Sequence, residues 1–90
     1  MYIINHFIWD EINRLHIAKH NVTEDEAEEA TTYHKRYMRH AWDERYSVFG
    51  RTGAGRYLFV AIDYYRDKKA ARVATARDLN DKEKNYYKGR

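Results

Sequence analysis

The fold of this chain is decided by residues 45–77, RYSVFGRTGAGRYLFVAIDYYRDKKAARVATAR. Three stretches rich in β-branched and aromatic residues, 45–51, 57–65 and 70–77, are separated by short segments rich in glycine or charge. Such short connections leave no room for a crossover helix, so consecutive strands pair antiparallel. The pattern predicts a meander in which the apolar run 57–65 is a central strand.

The residues before the meander show a strand pattern and then a helix pattern. Residues 2–8, YIINHFI, predict an N-terminal strand. Asp10 is a suitable N-cap for the helix that follows it. The apolar residues of this helix recur at every third position and form a stripe of the kind that usually faces a core: Ile12, Leu15 and Ala18.

A second helix is predicted after Asn21, which we expect to end the first helix in the left-handed conformation. Thr23 and Glu26 match a capping box, in which each side chain accepts a hydrogen bond from the other residue's backbone. The helix should cover about ten residues, TEDEAEEATT. Because only Ala27 and Ala30 offer an inner face, we expect it to lie loosely on the surface.

The remaining segments complete an α+β domain. Residues 33–40 alternate weakly and are a candidate fourth strand, and residues 41–43 predict a turn. A further capping box at residues 80–83 predicts a short helix over 81–88. The prediction is one domain, residues 1–90, with a small antiparallel sheet made of a three- or four-strand meander plus the N-terminal strand. Two N-terminal helices and one C-terminal helix pack on it, as in α+β proteins.

Composition excludes several classes of protein. The 90 residues include no Cys, which rules out disulfides, Cys-based zinc sites and a thiol nucleophile. No apolar run approaches the roughly 18 residues needed to span a bilayer, and the N-terminal residues lack the pattern of a signal peptide. We therefore expect a cytoplasmic protein without membrane contact. No metal or cofactor site is expected either, because the spacing of His16 and His20 suits two ligands but no third one is evident.

Basic charge is concentrated in the second half of the chain. Residues 1–45 hold 6 basic and 9 acidic residues, whereas residues 46–90 hold 11 basic and 5 acidic residues. In the C-terminal third the cations are interleaved with tyrosines, which suits single-stranded RNA because cations bind phosphates and rings stack on unpaired bases. The same pattern fits a solvated charged surface whose tyrosines complete a small core.

Metal-free cleavage of RNA requires few groups. A base takes the 2′-hydroxyl proton, an acid protonates the leaving 5′ oxygen, and cations stabilise the phosphorane. Arg72 and Arg77 suit the last role because arginine is not readily deprotonated. A regular strand would place them on opposite faces, since they are five positions apart, unless the strand contains a bulge. The available proton-transfer groups are His20, Glu83, Tyr86 and Tyr87.

The order and spacing of several short motifs resemble the BrnT family of type II toxins. The motifs are FIWD at 7–10, KHNV at 19–22, RVATAR at 72–77 and EKNYY at 83–87. The resemblance covers about residues 7–87. It implies a RelE-like ribonuclease fold and cleavage of RNA that arrests translation. It also implies a small BrnA-like antitoxin of the ribbon-helix-helix type, through which the complex binds DNA.

The resemblance also implies site residues. Catalytic or RNA-contacting roles fall on Arg77, Arg72, Glu83, Tyr87 and His20. A further RNA contact is expected from Arg45, which the resemblance also matches. The basic, tyrosine-rich C-terminal third adds Lys69, Lys84 and Tyr86 as expected RNA contacts.

Three departures from the family pattern keep a second interpretation open. Asn13 stands where the family usually has Lys, Asn21 stands where it has Gly, and the segment at 31–33 differs. The alternative is a non-catalytic RNA-binding or antitoxin-binding module of the same fold.

Overall fold

The computed structural model describes residues 2–89. In chain order the elements are β1 (His6–Ile8), α1 (Glu11–Ala18), α2 (Glu24–Thr32), β2 (Tyr37–Trp42), β3 (Arg45–Arg51), β4 (Tyr57–Tyr65), β5 (Ala70–Asp78) and α3 (Asp81–Lys88). The strands form one sheet with the order β1-β5-β4-β3-β2. This confirms the predicted α+β class, with a four-strand meander, two helices before it and one after it.

β1 makes the sheet mixed, because it pairs with β5 in parallel whereas all other pairs are antiparallel. The strand is also shorter than the pattern at 2–8 predicts. The Ile3 N–H donates to the Tyr64 hydroxyl oxygen at 3.2 Å, and the same hydroxyl donates to the Ile3 carbonyl at 2.9 Å. A side chain thus replaces the strand partner that Ile3 would otherwise need.

One face of the sheet carries the core. Its fully buried side chains on β3, β4 and β5 include Val48, Leu58, Val60, Ile62, Val73 and Ala76. α2 packs on the β3 and β4 part of this core through Ala27 and Ala30, and α1 packs on β5. α2 approaches β3 so closely that a Cβ on Gly50 would overlap the Ala30 carbonyl group. The expectation that α2 lies loosely was wrong, because small alanines let the helix backbone approach the sheet.

α1 presents a different face to the core from the predicted one. Ile12 and Leu15 are 64% and 58% exposed, whereas Asn13 and Ile17 are buried. Asp10 and Asn13 cap each other, which fixes the first turn with the Asn13 side chain inward. The apolar stripe therefore faces solvent, and its predicted role as a core contact was wrong.

The local signals for helix ends were accurate. Asn21 has φ 56° and ends α1 as predicted, and both predicted capping boxes are present. One turn was misplaced: Trp42 belongs to β2 and pairs with Arg45, so the β2–β3 turn consists of Asp43 and Glu44. Asp43 adopts φ 47°, which a two-residue hairpin turn requires.

Candidate functional site

A bulge in β5 brings two arginines to the same face of the sheet. Ala74 has no partner in the ladder, because its two neighbours pair with consecutive residues of β4. Arg77 therefore lies opposite Phe59 and Arg72 lies opposite Asp63. Phe59 and Asp63 are four positions apart on β4 and therefore share a face. The two arginines opposite them share that face and project away from the core. The sequence places both arginines on one face only if the strand contains a bulge, and β5 contains one.

Three rows of side chains cross this open face of β3, β4 and β5. The row nearest α3 is Phe49, Phe59 and Arg77; the middle row is Ser47, Ala61 and Thr75; the third is Arg45, Asp63 and Arg72. The middle side chains are short and form a floor between two taller rows about 13 Å apart. A groove of about 440 Å³ begins here, and we call it the open-face groove. Its lining includes Arg39, Trp42, Ser47, Phe49, Phe59, Glu83 and Tyr86.

Arg77 and Glu83 form a bidentate ion pair beside this groove. The Arg77 Nη1 and Nη2 atoms donate to Glu83 Oε1 and Oε2 at 2.8 and 3.0 Å. The guanidinium carbon lies 4.5 Å from the centroid of the Phe59 ring. Hydrogen bonds from Arg77 lower the pKa of Glu83, and the same bonds raise the pKa of Arg77. At neutral pH a guanidinium and an ionised carboxylate therefore stand side by side.

Arg72 and Arg45 are each paired with a carboxylate. Arg72 Nη2 donates to Asp10 Oδ2 at 2.9 Å, and Arg45 Nε donates to Asp63 Oδ1 at 2.8 Å. The pKa of Asp10 is lowered by the backbone N–H of Asn13 and, after it, by Arg72. These pairs join β5 to the start of α1 and β3 to β4. Their cations attract phosphate less strongly than unpaired cations would, because each has a counter-charge in contact.

α3 separates its two tyrosines. Tyr86 lines the open-face groove together with Glu83. Tyr87 lies on the other side, where its hydroxyl donates to the Lys35 carbonyl at 2.7 Å and burial raises its pKa. Lys84, on the same helix, is half-buried. The hydrogen bond from Tyr87 to Lys35 anchors α3 to the loop before β2.

Besides Tyr87, two of the predicted site residues lie away from the groove. His20 follows α1, and its backbone carbonyl accepts a hydrogen bond from Arg56. Lys69 is in the β4–β5 turn with φ 50°, at the end of β5 opposite Arg77. The structure thus brings Arg77, Glu83 and Tyr86 together and leaves His20 and Lys69 apart from them.

Sequence reasoning did not identify two groove residues on β2. Trp42 is 65% exposed, and Arg39 pairs with Ser47 in the middle row. The turn predicted at residues 41–43 obscured the end of this strand. An exposed indole on a strand beside cations is a surface on which an unpaired base can stack.

Comparison with protein-family models and with curated proteins finds no match for this chain. Among residues 2–89, no helix has the length and apolar composition to cross a membrane. Within the same part of the chain, no group of three or more His, Asp or Glu side chains is arranged to hold a metal ion. The groove and its charges are therefore the basis for assigning a function.

Proposed function

We propose that this protein is the toxin of a type II toxin–antitoxin system, an endoribonuclease that cleaves single-stranded RNA without a metal ion and so inhibits translation. The observation that carries the proposal is the Arg77–Glu83 pair beside a groove lined by exposed aromatic rings. The resemblance of residues 7–87 to the BrnT family supports the same assignment. A small BrnA-like antitoxin would neutralise the toxin and supply any DNA binding.

The proposed chemistry uses three groups near the groove. The Glu83 carboxylate accepts the 2′-hydroxyl proton, and the resulting oxygen attacks the adjacent phosphorus. Arg77 stabilises the negative charge that develops on the phosphorane. Tyr86 gives its hydroxyl proton to the leaving 5′ oxygen. The products are one strand ending in a 2′,3′-cyclic phosphate and one beginning with a 5′-hydroxyl. Arg72 takes no part in these steps, because its guanidinium holds Asp10 at the start of α1.

RNA cleavage by purified protein in EDTA tests the proposal. The wild-type protein should cleave single-stranded RNA and arrest growth when expressed, and Arg77→Ala and Glu83→Ala should each abolish both effects. The matched control is Arg14→Ala, which removes an exposed arginine paired with Glu24 on the helical side and should cleave normally. Intact RNA after incubation with folded wild-type protein would overturn the catalytic assignment.

A non-catalytic RNA-binding or antitoxin-binding module of the same fold is the second candidate. One observation favours it: two proton-transfer groups are already engaged. Glu83 accepts two hydrogen bonds from Arg77, and the Tyr87 hydroxyl donates to Lys35. In that case RNA should bind with an affinity that falls as salt rises and remain uncut. Measuring binding and cleavage on the same RNA separates the two candidates.

A further inference from the structure

A second basic pocket lies on the side of α3 that carries Tyr87. It has a volume of about 500 Å³, and we call it the tyrosine pocket. Its lining contains four cations, Lys35, Arg36, Arg51 and Lys88, and several tyrosines, among them Tyr57. No carboxylate belongs to this lining within residues 2–89. The open-face groove differs in this respect, because Glu83 lies in its wall.

Two cations of the tyrosine pocket lie against a single aromatic ring. The Arg51 guanidinium carbon is 5.8 Å and the Lys88 Nζ 4.8 Å from the centroid of the Tyr57 ring. The ring attracts each cation, but the two like charges repel one another. An anion bound in the pocket that both cations line would reduce that repulsion.

Four other arginines of the meander show what is missing here. Arg45, Arg56, Arg72 and Arg77 each contact a carboxylate at 3.1 Å or less. Arg51, Lys88 and Lys35 form no such ion pair with any acidic residue in the described part of the chain. Positive charge in the tyrosine pocket is thus left without a counter-charge, as in sites that bind anions.

We propose that the tyrosine pocket binds a phosphate group of the RNA strand whose scissile bond lies in the open-face groove. This inference rests on the proposed function. Tyr37 lines both the groove and the pocket, so the two are adjacent and one strand can pass from the first to the second. Arg51 and Lys88 contact the phosphate, and Lys35 adds positive charge at the rim.

Salt-dependent binding of a non-cleavable RNA tests the inference. The probe is a fluorescent 2′-O-methyl oligonucleotide of about twelve nucleotides, within the range that small single-strand sites cover, and anisotropy is measured over a salt series. Removing one cation that binds a phosphate should reduce the slope of log affinity against log salt by about 0.7. We therefore expect Arg51→Gln and Lys88→Gln each to lower the slope by roughly that amount. Both residues are exposed, so neither substitution should impair folding.

The chain offers a matched control for Lys88. Lys68 Nζ lies 5.8 Å from the Tyr65 ring centroid, so it is also a lysine on a tyrosine. Tyr57 and Tyr65 are the two ends of β4, about 26 Å apart. Lys68→Gln should leave the salt slope unchanged. The same slope change in Lys68→Gln as in Lys88→Gln, or no change in Arg51→Gln and Lys88→Gln, would overturn the inference.

Two further measurements identify the bound phosphate and distinguish failure of this inference from failure of the proposed ribonuclease activity. If 5′-phosphorylation of the probe raises its affinity for the wild type but not for Arg51→Gln, the pocket holds a terminal phosphate; otherwise the phosphate is internal. The probe cannot be cleaved, so binding is measured independently of catalysis. Lowered slopes with uncut natural RNA would refute only the ribonuclease. Normal cleavage with unchanged slopes would refute only the tyrosine pocket.

Discussion

The backbone of Gly50 on β3 packs directly against the Ala30 carbonyl group of α2. A Cβ on Gly50 would overlap that carbonyl, and main-chain atoms on both sides cannot rotate away, so the helix would have to move. We expect Gly50→Ala to lower the free energy of unfolding by about 1–3 kcal/mol, the usual cost of overpacking. Urea denaturation followed by circular dichroism measures the change.

Gly53→Ala is the control for this substitution. A Cβ on Gly53 would lie 3.7 Å from Glu29 Oε1, which is ordinary van der Waals contact with a flexible side chain. Its free energy of unfolding should change by no more than about 0.5 kcal/mol. If Gly50→Ala and Gly53→Ala lowered the free energy of unfolding equally, close packing of α2 on β3 would not be the cause of the loss at Gly50.

Arg56 should make stability depend on pH. Its guanidinium contacts the carboxylates of Asp78 and Glu26 at 2.7 and 3.1 Å and also donates to backbone carbonyls that follow α1. Arg56 lowers the pKa of Asp78 from 3.8, and the Thr23 N–H, together with Arg56, lowers the pKa of Glu26 from 4.5. Groups with depressed pKa values in the folded state stabilise it above their unfolded values, and this stability is lost as pH falls through the folded values.

The expected result is that Arg56→Ala lowers the urea midpoint more at pH 7 than at pH 3. Above about pH 4.5 both carboxylates are ionised and would be deprived of their partner. Because pH 3 lies below both unfolded values, part of the stabilisation by the wild-type ion pairs has already been lost there. Arg14→Ala is the control, because its pair with Glu24 is well exposed and such pairs contribute little. If Arg56→Ala were equally destabilising at both pH values, the ion pairs would not contribute to stability. Arg56 would then stabilise the fold only through its hydrogen bonds to the backbone carbonyls.

The meander and the helix starts could be predicted because each depends on neighbours in the sequence. Thr23 and Asn80 cap their helices through residues three positions away. The bulge at Ala74 could not be predicted in the same way. It is defined by the register between β4 and β5, and nothing in AARVATAR marks one alanine as the extra residue.

The candidate site could be predicted in part for the same reason. Arg77 and Glu83 were both identified, but their contact requires α3 to fold back over the sheet, which no local pattern encodes. The orientation of α1 also depends on tertiary structure. Asn13 is buried because the Ile8 carbonyl on β1 accepts a hydrogen bond from its amide, and a helical pattern alone assigns a polar residue to the outside.

A lysine at position 13 should not be tolerated. Asn13 is fully buried, its amide donates to the Ile8 carbonyl at 3.0 Å, and its oxygen accepts from the Asp10 N–H at 2.7 Å. Lysine has no acceptor atom and would bring a charge into the core. We expect Asn13→Lys to lower the free energy of unfolding by at least about 2 kcal/mol.

The neighbouring position provides the control for that experiment. Ile12 is 64% exposed on the same turn, so Ile12→Lys makes the same addition of charge toward solvent. Thermal unfolding of the two variants under identical conditions compares them. If Ile12→Lys were as destabilising as Asn13→Lys, helix propensity or net charge would be the cause, and the buried hydrogen bonds of Asn13 would not.

Trp42 should stack on an RNA base in the open-face groove. Its indole is 65% exposed, whereas Trp9, the other tryptophan, is half-buried and donates to Glu28 at 2.8 Å. In a Trp9→Phe background the fluorescence of Trp42 alone reports binding, and 2′-O-methyl RNA should quench it.

Trp42→Ala should weaken binding by about 1–3 kcal/mol, or roughly 5- to 150-fold, because stacking on an aromatic ring contributes that much per base. Trp42→Phe keeps a flat ring and should retain most of the affinity. Equal affinities for wild type and Trp42→Ala would place the base elsewhere.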